Sequence, residues 1–370
     1  MKKKTLILLA AALLFLLGAA PARAAALPQA DQWYGDLWDS VDANTKELLG
    51  QLGLEGVSAE GLLSLTPADM LRTVAGIVKG EAASPLRYCA ASVLLLAVAS
   101  LAASFLPEGG AMRQRCETVG RLCVMFALLS GAGQALRDSM PAVTATEDFI
   151  LALVPVFTGI LGFAGSPALA LSWGGAVLAF AETVGAFFAK YVPALGALGT
   201  AACAAANLNT QADLSGAAKL LAKTVTVAMG FAAGLFTAVL SVREVVAGAA
   251  DTVGMKGAKF LIGQGVPIVG SAVADALNSV AAGLGLIRNT VGAFAAAVLL
   301  LIDLAPVLRL LLWKFVFRFL TAAGELLGQP RTASLTESLN SLLSVMLAVI
   351  CFNSAVFIVA LAVVLRAKGG

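Results

Sequence analysis

Histidine is absent from all 370 residues. That removes the commonest general base and the commonest metal ligand, and with them every Ser/His/Asp and Cys/His nucleophilic set. No GxxxxGK[ST] phosphate loop occurs either, so any ATP-driven step has to be carried out by another subunit. Carboxylates such as Glu117 and Glu147 are scattered rather than paired, and no metal-ligand cluster is spelled out. The chain is therefore expected not to be an enzyme and to need no cofactor.

Charge is scarce as well. Only 13% of residues are charged against 59% hydrophobic, with a mean hydropathy of +0.91, whereas a soluble domain carries about 25% charged residues. The net charge of +3 is spread along the chain, with none of the clustered basic stripe that nucleic acid requires. The five cysteines, Cys89, Cys116, Cys123, Cys203 and Cys351, are odd in number, form no CxxC pair and fall in or beside apolar segments. They read as small residues of a membrane core rather than a disulfide framework. The composition is that of an all-α, polytopic helical membrane protein, whose surroundings are lipid.

The N-terminus has three parts: Lys2 to Lys4, an apolar run from Leu6 to Leu17, and the small-residue site Ala22-Arg23-Ala24. This layout predicts a signal peptide over 1–24, cleaved after Ala24; the run is shorter than the roughly 20 residues that span a bilayer. The chain beyond Ala24 is then extracytoplasmic at its start. Residues 25–85 are the only sizeable stretch of soluble character, with Trp33, Trp38, Leu48 and Leu49 on helical spacing. Thr66 and Pro67 form an N-cap and N1 pair for a helix through Val78. Two or three short amphipathic helices are expected there, serving as a docking element or as a cap on the membrane core.

Residues 86–370 read as the transmembrane domain. Apolar runs at Tyr88–Leu106, Leu122–Ala135, Phe149–Ala164, Ala168–Ala189, Leu220–Leu240, Val291–Leu312 and Leu342–Leu365 give about seven spans. Residues 191–208 are too short and too rich in small residues to place, as a re-entrant piece or a tight span. Arg113, Arg115 and Arg121 mark a cytoplasmic loop, and 137–148 reads as the next loop outside. Arg366 and Lys368 favour a cytoplasmic C-terminus, which needs an odd number of spans; Lys314, Arg318 and Arg331 fit that count poorly. Abundant Gly and Ala in the spans favour close helix packing, in a compact bundle or a homo-oligomer. Glu182 and Asp303 are intramembrane charges, costly there unless paired or wetted, and so candidates for lining a path or for a structural pairing.

The stretch 256–290 is neither an ordinary span nor an ordinary loop. Gly263, Gly265 and Pro267 break the helix that contains Lys259. After them Ser271, Asp275, Asn278, Ala282, Gly285 and Asn289 make one polar or small stripe, and Val273, Leu277, Val280, Leu284 and Ile287 a greasy one. Broken backbone at membrane depth is tolerated where protein or water satisfies it. Two readings stand: a pore-lining or re-entrant element, or an interfacial amphipathic helix.

Ala258, Lys259 and Phe260, then Gly263, Pro267, Gly270, Asp275 and Ala276, and finally Asn289 to Gly292, resemble the signature region of the stage III sporulation protein AE family. Pro306, Arg309 and the basic, aromatic stretch to Arg318 extend the likeness, which covers essentially the whole chain; Asp303 falls outside the pattern. The resemblance implies a membrane component of a channel-like, secretion-like complex joining mother cell and forespore in endospore-forming bacteria. It implies a place in the mother-cell membrane around the forespore, with residues 25–85 in the intermembrane space. Its implied partners are other membrane subunits, an ATPase subunit and a forespore-side protein. The alternative from the residues alone is a secondary transporter of a small solute, with Glu182 and Asp275 coupling ions.

Overall fold

The computed structural model describes residues 28–107, 110–208, 215–265 and 270–366, and all regular structure among them is helical. The expected signal peptide lies outside the described residues.

The soluble-looking segment forms four short helices rather than two or three: α1 (Pro28–Asp39), α2 (Ala43–Gln51), α3 (Ala59–Ser64) and α4 (Pro67–Glu81). Three start on side-chain caps that satisfy otherwise orphaned amides. Asp42 accepts from Thr45 N at 3.1 Å, Ser58 from Gly61 N at 3.1 Å and Thr66 from Asp69 N at 3.3 Å. Pro67 opens α4 at its first position, as its spacing predicts. The Thr66 hydroxyl also donates to Asp69 Oδ2 at 2.6 Å, holding that carboxyl below its ordinary range.

Six long helices complete the chain: α5 (Ala83–Ser104), α6 (Ala111–Phe163), α7 (Pro167–Leu208), α8 (Ser215–Gly265), α9 (Gly270–Leu326) and α10 (Pro330–Arg366). Each contains a stretch long and apolar enough to cross a membrane. The seven apolar runs become six helices because 122–135 and 149–164 belong to one, α6. The polar stretch between them stays helical. Pro141 removes one backbone donor, but Ser139 Oγ donates back to Ala135 O at 2.7 Å, Thr144 Oγ1 to Pro141 O at 2.9 Å, and hydrophobic neighbours on both sides pack. Residues 191–208 likewise continue α7 as helical backbone.

Two tight hairpins reverse the chain. Gly165 at φ +81 turns α6 into α7, and Gly328 at φ +67 turns α9 into α10, a left-handed conformation that glycine adopts without steric cost. At the first hairpin, Asp251 of α8 caps α7 from across the bundle: its Oδ1 accepts from Ala168 N at 3.0 Å and its Oδ2 from Leu169 N at 2.9 Å. Trp173 Nε1 donates to Ala360 O at 3.0 Å, tying α7 to α10.

The bundle has two cores stacked along the helix axes. An upper core gathers Phe149–Leu161 of α6, Leu169–Ala181 of α7, Phe236–Ala247 of α8, Ile287–Ile302 of α9 and Val356–Val364 of α10. A lower core gathers Leu96 of α5, Val124–Val143 of α6, Val184 and Phe188 of α7, Val225 and Met229 of α8, Leu310–Leu320 of α9 and Leu335–Ile350 of α10. The outer flank changes between the two. α5 packs only on the lower core, while Leu37, Val41, Leu49, Leu54 and Val57 of the N-terminal segment pack on the upper one. Trp33 stacks near Phe163 at 5.7 Å and Trp38 near Phe294 at 6.2 Å.

Six is an even number, so Arg366 ends at the same end of the bundle as α1. There Leu365 packs on Gly292 and its carbonyl accepts from Arg288 Nη2 at 3.4 Å. Arg113 and Arg115, in the first turns of α6, and Arg318, near the end of α9, lie toward the other end.

Candidate functional site

Four of the five helices that run through both cores, all but α8, carry polar residues where one core stops and the other starts. On α6 these are Thr146 and Glu147, between Val143 of the lower core and Phe149 of the upper; on α7, Glu182 and Gly185; on α9, Asp303 to Arg309; on α10, Cys351 to Ser354. Together they form a polar waist across the middle of the bundle.

One side of the waist is fully paired. Arg309 of α9 grips Glu81 at the end of α4, Nε donating to Oε2 at 2.6 Å and Nη2 to Oε1 at 2.5 Å, while Nη1 donates to Asp138 O of α6 at 2.8 Å. Below it, Tyr88 of α5 packs against Trp313 of α9 at 5.4 Å. Gly131 of α6 lets that Trp313 ring approach, since a Cβ there would lie 2.5 Å from it.

The other side is not paired. Asp303 is 8% exposed, with the Ser354 hydroxyl of α10 beside its carboxylate but short of close hydrogen-bond geometry, and with Cys351 near. Asn353 is 1% exposed and neither amide atom has a hydrogen-bond partner; the same holds for the hydroxyl of Thr146. Glu147 Oε1 is enclosed and unpartnered, its carboxyl pressed on Gly185, where a Cβ would lie 2.5 Å from Oε2. Leaving a buried polar group unmade costs about 1–3 kcal/mol. Several in one layer is more than packing needs, and clustered unsatisfied groups of this kind mark functional layers. Pro306 adds to them by removing the N–H that the carbonyl of Ile302, next to Asp303, would accept.

Of the two intramembrane charges expected from sequence, the fold buries Asp303 in this layer and turns Glu182 outward, exposed, at the same level. Glu147, Asn353, Ser354 and Glu81 were not singled out as site residues. The readable signals were a proline three residues after Asp303 and an acidic pair, Glu147-Asp148, directly before an apolar run.

The signature stretch lies at the upper end, away from the waist. Lys259 and Gly263 fall in the last turns of α8, and Gly270, Ser271, Asp275 and Asn278 in the first turns of α9, as helical backbone whose side chains lie outside the described residues. Pro267 lies outside them altogether. Where description resumes, the greasy stripe is inward: Leu284 and Ile287 are buried and Asn289 is exposed. Gly292 is buried, and a Cβ there would lie 2.8 Å from both methyls of Leu365, so this glycine allows α9 and α10 to meet closely.

Residues 57–368 match the family described as Stage III sporulation protein AE. The chain belongs to that family. Its match takes in the end of the N-terminal segment, both cores and the waist. A relative so named from Bacillus subtilis (strain 168) is 24% identical over 233 residues, 63% of this chain and 58% of that protein. The chain thus matches under two thirds of the length of that stage III sporulation protein AE relative. No solved structure matches.

Proposed function

We propose that this chain is the large integral membrane component of a channel-like, secretion-like complex that links mother cell and forespore and sustains late forespore development. What supports the reading is family membership over 57–368 together with a layer of unpaired buried polar groups running through an apolar bundle. Such groups are retained where water, ions or a moving partner meets them. In this reading the chain sits in the mother-cell membrane around the forespore, with α1–α4 in the intermembrane space. It works beside other membrane subunits, an ATPase subunit that supplies the energy and a forespore-side protein, binds no nucleic acid, and performs no chemistry itself. Deleting the gene tests this: engulfment should finish while late forespore gene expression fails, and normal heat-resistant spores from a clean deletion would overturn it.

A specific observation favours one second reading, a self-sufficient secondary transporter: the waist places a buried carboxylate, Asp303, beside a proline-interrupted stretch of helix. Solute uptake by the chain alone in proteoliposomes would establish it; uptake that requires the other subunits favours the complex.

A further inference from the structure

The seam between α9 and α10 joins the two most apolar spans of the six, which pack on one another more extensively than any other pair of helices. Its register is fixed at both ends. Leu365 meets Gly292 above, while below Lys314 donates to Ser344 Oγ and Thr321 Oγ1 lies 2.7 Å from Thr336 Oγ1. Between these contacts the antiparallel pair sets Asp303 opposite Ser354. Asp303 is the only carboxylate from Asn289 to Gly324 of α9 or from Ser338 to Arg366 of α10.

No basic side chain neutralises it. Lysine and arginine are missing from 138–163 of α6, 167–189 of α7, 224–242 of α8 and 332–365 of α10, the stretches that cross this level. Arg309, the nearest on α9, is taken up by Glu81 and by Asp138 O, and Lys79 of α4 is exposed. Asp303 is 8% exposed and forms no ion pair among the described residues. A carboxylate so placed is costly unless a counter-charge joins it.

Oxygen atoms with nothing to bond stand around it. Ser354 is 3% exposed, and its Oγ, beside Asp303, has no close hydrogen-bond partner. Asn353 is 1% exposed and shares a face of α10 with Phe357, one turn on, whose ring meets Phe180 of α7 at 6.1 Å. Its amide therefore points into the interior, where neither polar atom is bonded. Pro306 has no N–H, which leaves the carbonyl of Ile302 without its helical donor.

A carboxylate, a hydroxyl, a side-chain amide and a backbone carbonyl are the donor set of a hard cation. The metals that seek nitrogen and sulfur find no such set, since among the described residues no three of His, Cys, Asp and Glu come together. One carboxylate balances one positive charge. A divalent ion would carry its excess charge into the apolar interior. Freed carbonyls at an interruption in a membrane helix are the usual companions of such an ion.

We propose that Asp303, Ser354, Asn353 and the Ile302 carbonyl bind an alkali cation, sodium or potassium, in the seam between α9 and α10. The proposal rests on the reading of the waist as a functional layer and names the ligand of that layer.

The test melts the full chain, purified in detergent, in sodium chloride, potassium chloride and choline chloride at one ionic strength. A ligand that binds only the folded state raises the melting temperature, and does so saturably. Sodium or potassium should stabilise the chain over choline, and the stronger of the two is the ion of the site. Asp303→Asn should erase the difference while melting in choline no lower than the unaltered chain, which shows that it has folded. Ser354→Ala and Asn353→Ala should keep the effect but raise the half-saturating concentration about tenfold, the consequence of losing one contact to a charged group. Equal melting in all three salts would overturn the proposal and leave Asp303 as a carboxylic acid that holds its proton. A cation effect that survives Asp303→Asn would overturn it too, as would an unchanged half-saturating concentration in both alanine variants. The two readings fail separately. Cation-dependent melting beside normal spores from the gene deletion would sink the channel reading and leave the site; cation-independent melting beside a failed deletion would do the reverse.

Discussion

Arg309 holds Glu81 across 228 residues of chain by two parallel hydrogen bonds, so the soluble segment and the membrane bundle are locked together at the waist. The two side chains are 23% and 25% exposed, and Asp138 O takes a third guanidinium N–H. A bidentate, half-dry pair of this kind fixes geometry as well as adding stability.

Removing either partner should therefore destabilise the fold measurably. Arg309→Ala and Glu81→Ala are each expected to cost about 1.5–3 kcal/mol, the range for hydrogen bonds to charged groups. Arg309→Lys keeps the charge but loses the fork and should recover only part of it. In a double-mutant cycle followed by thermal unfolding in detergent, the two alanines should add to less than their sum; strict additivity would show that the pair is not coupled.

Gly185→Ala places a methyl against the Glu147 carboxyl, where the contact would be 2.5 Å. Overpacking of this sort costs about 1–3 kcal/mol. The same substitution should be nearly neutral in a Glu147→Ala background, because the clash is with that side chain and not with backbone. Equal loss of thermal stability in both backgrounds would place the strain elsewhere.

Asp303→Asn keeps the shape of the side chain while removing an ionisable carboxyl from an 8% exposed position. If the carboxylate is present only for structure, the variant should lose stability. If it is kept for function, stability should hold or rise while heat-resistant spore yield falls. The second outcome is expected, and spore counts beside a melting curve decide it.

Topology separates six crossings from seven. A reporter at the Gly328 hairpin should read cytoplasmic, together with one near Arg115, while one after Arg366 should read extracytoplasmic with one after Pro85. A cytoplasmic reading after Arg366 would restore an odd number and overturn the parity argued from α6 and the two hairpins.

Much of the fold was legible because apolar length and helical period are local properties. The Thr66-Pro67 start of α4, the exchange of soluble for apolar character near residue 83, and the inward face of Leu284 and Ile287 all arise from residues within a few turns of one another. The loop expected over 137–148 did not survive. Charge and Pro141 suggested a break, but the side chains bond back to their own helix, and tertiary neighbours keep the backbone helical.

What the sequence determined by itself is an all-helical chain for a membrane, the Thr66-Pro67 start of α4, and its family, since each is written in short-range pattern and composition. What only the tertiary structure decided is which polar residues meet. Glu81, Glu147, Asp303, Arg309 and Asn353 come from four different helices. A 3.6-residue period states which face of a helix a side chain occupies, but not which other helix that face will touch. The two cores, the waist between them and the pairing of Arg309 with Glu81 exist only once six long helices have been laid side by side in register, because that register is set by interhelical packing and not by any one helix's own pattern.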